Sequence, residues 1–208
     1  MALCHGTERA GQGWHDGGVT DTARPDVGAT PSFADYELAD RYRQQEGRVF
    51  LSGVQAIARL PIDQLLLDRA RGWNTAAFVS GYQGSPVGMF REEVDRAART
   101  MPDLPIVNEP GVNEELAATA VMGSQLAVTL DDCRYDGILG IWYGKGPGID
   151  RAGDAIRHAV FSSRAPRGGF VAFVGDDPSA KSSTLPSSSD ATMVDLHMPL
   201  LFPGDVQE

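Results

Sequence analysis

The chain has 208 residues, enough for one sizeable α/β domain with a tail. It carries 28 acidic against 18 basic residues, a net charge of −10, which argues against nucleic acid or an anionic membrane surface as partner. No apolar run approaches the roughly 20 residues of a membrane span, and residues 1–31 lack the apolar core of a signal peptide, so a cytoplasmic protein is expected. The two cysteines, Cys4 and Cys133, cannot build a disulfide framework or supply the usual four ligands of an iron–sulfur cluster.

Residues 1–31 are rich in Gly, Thr, Asp and Ala without apolar period and are expected to be a disordered N-terminal extension. The folded domain is expected over residues 32–208. A helical pattern starts at Phe33, with Ser32 as its N-cap, runs through Tyr36, Leu38, Ala39 and Tyr42, and stops at Gly47. Arg48 to Ser52 reads as extended. Val54 to Arg71 reads as a second helix that Pro61 should kink or split and Gly72 should end.

Beyond this point strands and helices alternate. Strands are expected at Thr75–Ser80, Leu104–Asn108, Gly137–Tyr143 and Phe170–Val174. Helices are expected at Pro86–Thr100, Asn113–Leu130 and Asp150–Ser163, the second with Leu116, Ala120, Gly123 and Ala127 along one side. Short, continuously apolar strands separated by helices predict an α/β fold, a parallel sheet with helices on both faces. Residues 179–190 are a Ser-rich loop. Met198 to Val206 is apolar, as though a further strand were starting.

In such a sheet, ligands bind at the carboxyl ends of the strands, so the segments after each strand are the place to look for chemistry. The first is Gly81-Tyr82-Gln83-Gly84-Ser85-Pro86. Its glycines allow tight turns and close approach, and Ser85 with Pro86 reads equally well as the start of a helix. The second ends in Asn113-Glu114-Glu115, where Asn113 is a natural N-cap. Both acids fall in the first turn, where they either compensate the helix dipole or serve chemistry. The third, Gly144-Lys145-Gly146-Pro147-Gly148, is read as a tight loop that either cradles an anion or merely packs. The fourth is Gly175-Asp176-Asp177-Pro178, a hard-metal site or an ordinary turn; without further acids nearby no metal ligand is assigned. Neither a Gly-x-Gly-x-x-Gly fingerprint nor a Gly-x-Ser-x-Gly elbow is present, which disfavours a dinucleotide enzyme and a hydrolase.

In that order, and together with Leu116-Ala117-Ala118-Thr119-Ala120 and Ser182-Ser183, these segments resemble the 2-oxoacid:ferredoxin oxidoreductases, most closely the fused bacterial indolepyruvate:ferredoxin oxidoreductase type. The resemblance covers about residues 35–208. It implies a thiamine-diphosphate-binding fold and the pyrimidine-binding domain of a 2-oxoacid oxidoreductase. In that family a glutamate of this domain contacts N1′ of the thiamine aminopyrimidine and so promotes loss of the thiazolium C2 proton. The oxoacid is then decarboxylated, electrons pass through iron–sulfur centres to ferredoxin, and coenzyme A takes the acyl group.

Glu114 matches that glutamate, with Glu115 as the alternative. The helix N-terminus favours the ionised acid while the role needs a shared proton, so burial against the pyrimidine has to offset the dipole. Ser85 matches a position near the bound oxoacid, and Lys145 is a candidate for its carboxylate. Gly84, Gly146 and Gly148 are candidates for cofactor contact. The resemblance also implies Mg²⁺ and a separate diphosphate-binding domain or subunit, because the family's Gly-Asp…Asn signature is absent here, as are its cysteine clusters. Family members continue past Glu208, so a fragment inactive alone is expected, acting on an aryl pyruvate in the complete enzyme. The alternative is a non-catalytic ligand- or subunit-binding module that keeps the fold.

Overall fold

A computed structural model describes residues 36–162 and 166–206. The expected extension at 1–31 and the Ser32–Phe33 helix start lie outside the described residues. The elements in chain order are α1 (Asp40–Arg43), α2 (Gly53–Ala70), β1 (Thr75–Gly81), α3 (Phe90–Thr100), β2 (Ile106–Asn108), α4 (Glu114–Ala127), β3 (Gly137–Lys145), α5 (Gly146–Ser162), β4 (Gly169–Gly175) and α6 (Asp190–Asp195). All four strands are parallel, in the order β2-β1-β3-β4. The α/β class expected from the alternating pattern is therefore the one observed.

Strand alternation explains the layers. Successive side chains point to opposite faces of a sheet. From β1 and β3, Val79, Ile141 and Tyr143 meet Ala58 of α2 and Phe90 and Val94 of α3. Trp142, pointing the other way, joins Ala117, Ala118 and Val121 of α4 with Ile149, Ala152 and Ile156 of α5. Each large side chain buried this way contributes about 1.5–3 kcal/mol. Phe90 adds edge-to-face contacts with Tyr143, at 5.0 Å, and with Phe173, at 5.4 Å.

Several local expectations are corrected. The first helix is one turn, Asp40–Arg43, started by Ala39 without a side-chain cap. It is held by burial of Tyr42, whose hydroxyl donates to Glu93 Oε2 at 2.5 Å. Pro61 does not split α2, which runs unbroken from Gly53 to Ala70. A proline inside a helix costs about 3 kcal/mol or more. Here the cost is offset by burial of Ala58, Pro61, Ile62 and Leu65 and by a capping box between Ser52 and Gln55. Gly72 ends the helix at φ +77°, as expected.

Helix α3 begins at Phe90 rather than Pro86, and Ser85 caps nothing. Residues 85–89 instead cross the strand ends, where Pro86 packs so closely on Gly175 that a Cβ there would come within 2.7 Å of Pro86 Cδ. The side of α4 carrying Leu116, Ala120 and Gly123 faces solvent, with Leu116 53% exposed, while Ala117, Ala118, Val121 and Gln125 are buried. Helix α4 is small and apolar nearly all round, so its period does not select a face. The strand suggested at 198–206 does not form: Leu201 and Phe202 are exposed, while α6 tucks Met193 into the core. Among the described residues no helix is long and apolar enough to cross a membrane.

Candidate functional site at the carboxyl edge of the sheet

From β1 the chain moves outward to β2, then returns across β1 to add β3 and β4 on the other side. The crevice at the carboxyl ends of β1 and β3 is thus the topological switch point, where open α/β sheets bind ligands. Gly81 closes β1 against β3: a Cβ on it would lie 2.2 Å from the Tyr143 carbonyl oxygen. The loop after β2 is drawn to the same edge, with Glu109 N donating to Val79 O at 2.9 Å and Gly111 N to Gly81 O at 3.0 Å.

Glu114 and Glu115 separate clearly. Asn113 caps α4 by accepting from Leu116 N at 2.9 Å. The Glu114 carbonyl accepts from Trp142 Nε1 at 3.0 Å, which fixes the start of the helix to the buried indole of β3. The Glu114 side chain is half-buried and lies over Gly148, where a Cβ would come within 2.8 Å of its Cγ and 3.1 Å of Oε1. Among the described residues its carboxylate has no hydrogen-bond or ion-pair partner. Glu115 is exposed on the outer side of the same turn.

The Gly-Lys-Gly-Pro-Gly segment is not a loop. Strand β3 pairs with β4 as far as Lys145↔Gly175, and α5 starts at the next residue, Gly146. Pro147 is compatible with a first helical turn, where amide protons have no intrahelical partner. Gly146 and Gly148 are close-packing positions: a Cβ on Gly146 would meet Ser187 at 2.4 Å, and Gly148 carries Glu114. Gly84 lies on the Lys145 side chain, 3.3 Å from its Cδ by the same measure. Ser85 is exposed at this edge. The edge therefore brings Gly84, Lys145, Gly146, Gly148 and Glu114 together on the β1–β3 side.

The aspartate pair folds the serine-rich segment. Asp177 accepts from Ser182 N at 2.7 Å, Ser182 Oγ at 3.0 Å and Lys181 N at 3.1 Å. Asp176 Oδ2 accepts from Ser189 N and Ser189 Oγ, both at 2.9 Å. The Ser182 and Lys181 donors, with the nearby Lys145 charge, hold the Asp177 carboxyl below the usual 3.8 despite its burial. Both acids anchor this loop, Asp176 through Oδ2 alone, its buried Oδ1 having no hydrogen-bond partner among the described residues; the sequence signal is the hydroxyl residues Ser182 and Ser189, five and thirteen positions on from the acids they bind.

Two residues not singled out by sequence also stand at this edge. Arg91 of α3 and Tyr143 of β3 line a cavity of about 160 Å³ beside Gly81 and Gly111. A larger hollow of about 290 Å³ is a groove along α2 alone. Comparison with protein-family models, with curated proteins and with solved structures finds no match to this chain.

Proposed function

We propose that the chain is the pyrimidine-binding domain of a thiamine-diphosphate-dependent 2-oxoacid:ferredoxin oxidoreductase, acting in the cytoplasm on an indolepyruvate-like substrate. The observation that carries this reading is the Glu114 carboxylate. It is half-buried, without a partner among the described residues, and stationed at the switch point by Asn113 and Trp142. A carboxylate that serves only the helix dipole has no need of a glycine shelf, yet Gly148 leaves room for this one.

Thiamine diphosphate, when bound, would supply the nucleophilic carbon for the oxoacid carbonyl. The chain's own part is to hold Glu114 where it can share a proton with a ring nitrogen. The Trp142 hydrogen bond to the Glu114 carbonyl keeps that turn from sliding along the strand ends. Lys145, at the end of β3, and Ser85, in the segment that follows β1, are the groups we assign to the substrate side. Diphosphate and Mg²⁺ fall to a second domain or subunit, and coenzyme A and the iron–sulfur centres to the complete enzyme.

The test is calorimetric titration of the 208-residue chain with thiamine diphosphate and Mg²⁺, alone and with a diphosphate-binding domain of this enzyme class supplied in trans. Binding only in the second case is expected. In the assembled enzyme Glu114→Gln should lower ferredoxin-linked turnover by about 100-fold or more, the scale of a lost proton-transfer group. Unchanged turnover would refute the assignment, and no binding in either case would favour a non-catalytic module.

A further inference from the structure

The two edges of the sheet are built differently. At one edge, β2 is three residues long and lies between Pro105 and Pro110. Short length and proline are usual protections of an edge strand. At the other edge, β4 runs seven residues, Gly-Phe-Val-Ala-Phe-Val-Gly, with neither charge nor proline. It pairs with β3 along its whole length, and among the described residues its main chain has no partner on the outer side. Its side chains are short of cover as well. Phe170, Ala172 and Val174 lie on one face, Val171 and Phe173 on the other, and all five are only half-buried. Ile141, Trp142 and Tyr143, beside them on β3, are wholly buried.

The order of residues in β4 specifies a partner. Read backwards the strand is Gly-Val-Phe-Ala-Val-Phe-Gly. A second β4 laid antiparallel and centred on Ala172 therefore sets Phe170 opposite the second copy's Val174, and Val171 opposite its Phe173. Aromatic against β-branched is a favoured cross-strand pair, and the twofold repeats it on each face. Glycine meets glycine at both ends. Either phase of the ladder serves, because opposed residues in an antiparallel pair are alternately hydrogen-bonded and not. Charge agrees with this direction. Arg167, held before the strand by Asp136 and the Trp73 ring with 44% of its side chain exposed, comes opposite Asp177, which follows the strand. A parallel copy would set Arg167 against Arg167.

We propose that β4 docks on β4 of a second copy of this chain, antiparallel about a twofold axis at Ala172, joining two four-stranded sheets into one. The main-chain groups on the outer side of β4 supply the adhesion, and the Phe–Val pairs fix the register. Such an interface is isologous and closed. The edges left free are the two short β2 strands, so assembly stops at the dimer. The inference rests on the sheet edge alone and does not depend on the thiamine reading.

The experiment is sedimentation equilibrium of the full 208-residue chain, with disulfide trapping to read the register. A reversible dimer and no larger species are expected over roughly 1–200 µM chain. Arg167→Glu, at an exposed position outside the strand, should weaken the dimer about tenfold, since the twofold counts the change twice. For trapping, Cys4 and Cys133 are first replaced by serine. Ala172→Cys should then oxidise to a linked dimer, because the two copies of that position are directly opposed. Val174→Cys should not, since the register holds its two copies four residues apart, about 13 Å, beyond the roughly 7 Å a disulfide spans. Thermal unfolding of each reduced variant verifies that it folds, and sedimentation of wild type and Arg167→Glu decides the matter if a cysteine variant does not. A monomer at every concentration overturns the proposal and leaves the edge to a strand of another protein. So does a folded Ala172→Cys variant that fails to link, equal linking at Val174→Cys, or an Arg167→Glu dimer as tight as wild type.

Discussion

Two glycine-to-alanine substitutions should move stability in opposite directions. At Gly81 a new Cβ would sit 2.2 Å from the Tyr143 carbonyl oxygen and 2.4 Å from the Tyr143 ring. Ordinary contact begins near 3.4 Å, so the obstacle must retreat by more than an ångström. It is backbone in the central β1–β3 pair, which is in register from Thr75↔Gly137 to Gly81↔Tyr143. Retreat also breaks the hydrogen bond from Tyr82 N to Tyr143 O, 3.1 Å long. Overpacking of about 1–3 kcal/mol plus a hydrogen bond of about 1 kcal/mol gives a loss of roughly 2–4 kcal/mol.

Gly123 is the counterpart. It lies in the interior of α4, exposed, and a methyl group added there would meet nothing within 4 Å. Alanine there should add roughly 0.5–1 kcal/mol through helix propensity alone. Urea unfolding of the two variants and the wild type measures both effects, with unchanged slopes showing that the same surface is exposed. A Gly81→Ala variant within about 1 kcal/mol of wild type, or a Gly123→Ala variant less stable than wild type, would refute the packing described at these positions.

Further outcomes follow from the buried polar groups. Tyr42→Phe removes the donor at 2.5 Å to Glu93, whose side chain is 9% exposed, and should cost about 1.5–3 kcal/mol at pH 7 by thermal or urea unfolding. Burial alone would raise the Glu93 carboxyl, but hydrogen bonds from Tyr42 and Arg96 outweigh it and hold it below the usual 4.5. A depressed folded value contributes stability above 4.5 that is lost as pH falls through the folded value, so the Tyr42→Phe penalty should shrink in acid. Asp177→Ala should raise hydrogen exchange at the Lys181 and Ser182 amides. Because the Asp177 carboxyl is likewise held low, the wild type should lose the same protection only below about 3.8, with no change near neutrality. An equally protected segment in the alanine variant would contradict the anchoring role.

Elements with short-range causes are legible in the amino-acid order. Apolar runs such as Thr75–Ser80 and Gly137–Tyr143, bounded by polar or glycine residues, became strands. Asn113 capped α4, and Gly72 ended α2. That order also placed the four glycine-rich or acidic segments after successive strands, which is enough to locate the carboxyl edge. The strand order, the face that α4 buries, and the survival of α2 through Pro61 are set by long-range packing, because each depends on contacts between residues far apart in the chain. The same is true of the edge itself. Helix α5 follows β3 directly because pairing with β4 continues to Lys145, and the aspartates are drawn into the serine-rich segment by its amides. Glu114 turns inward over Gly148 while Glu115 faces water, and Arg91 of α3 and Tyr143 of β3 come to the same hollow from two layers of the fold. No local spacing encodes these pairings, since what brings the side chains together is the packing of helices on a twisted sheet.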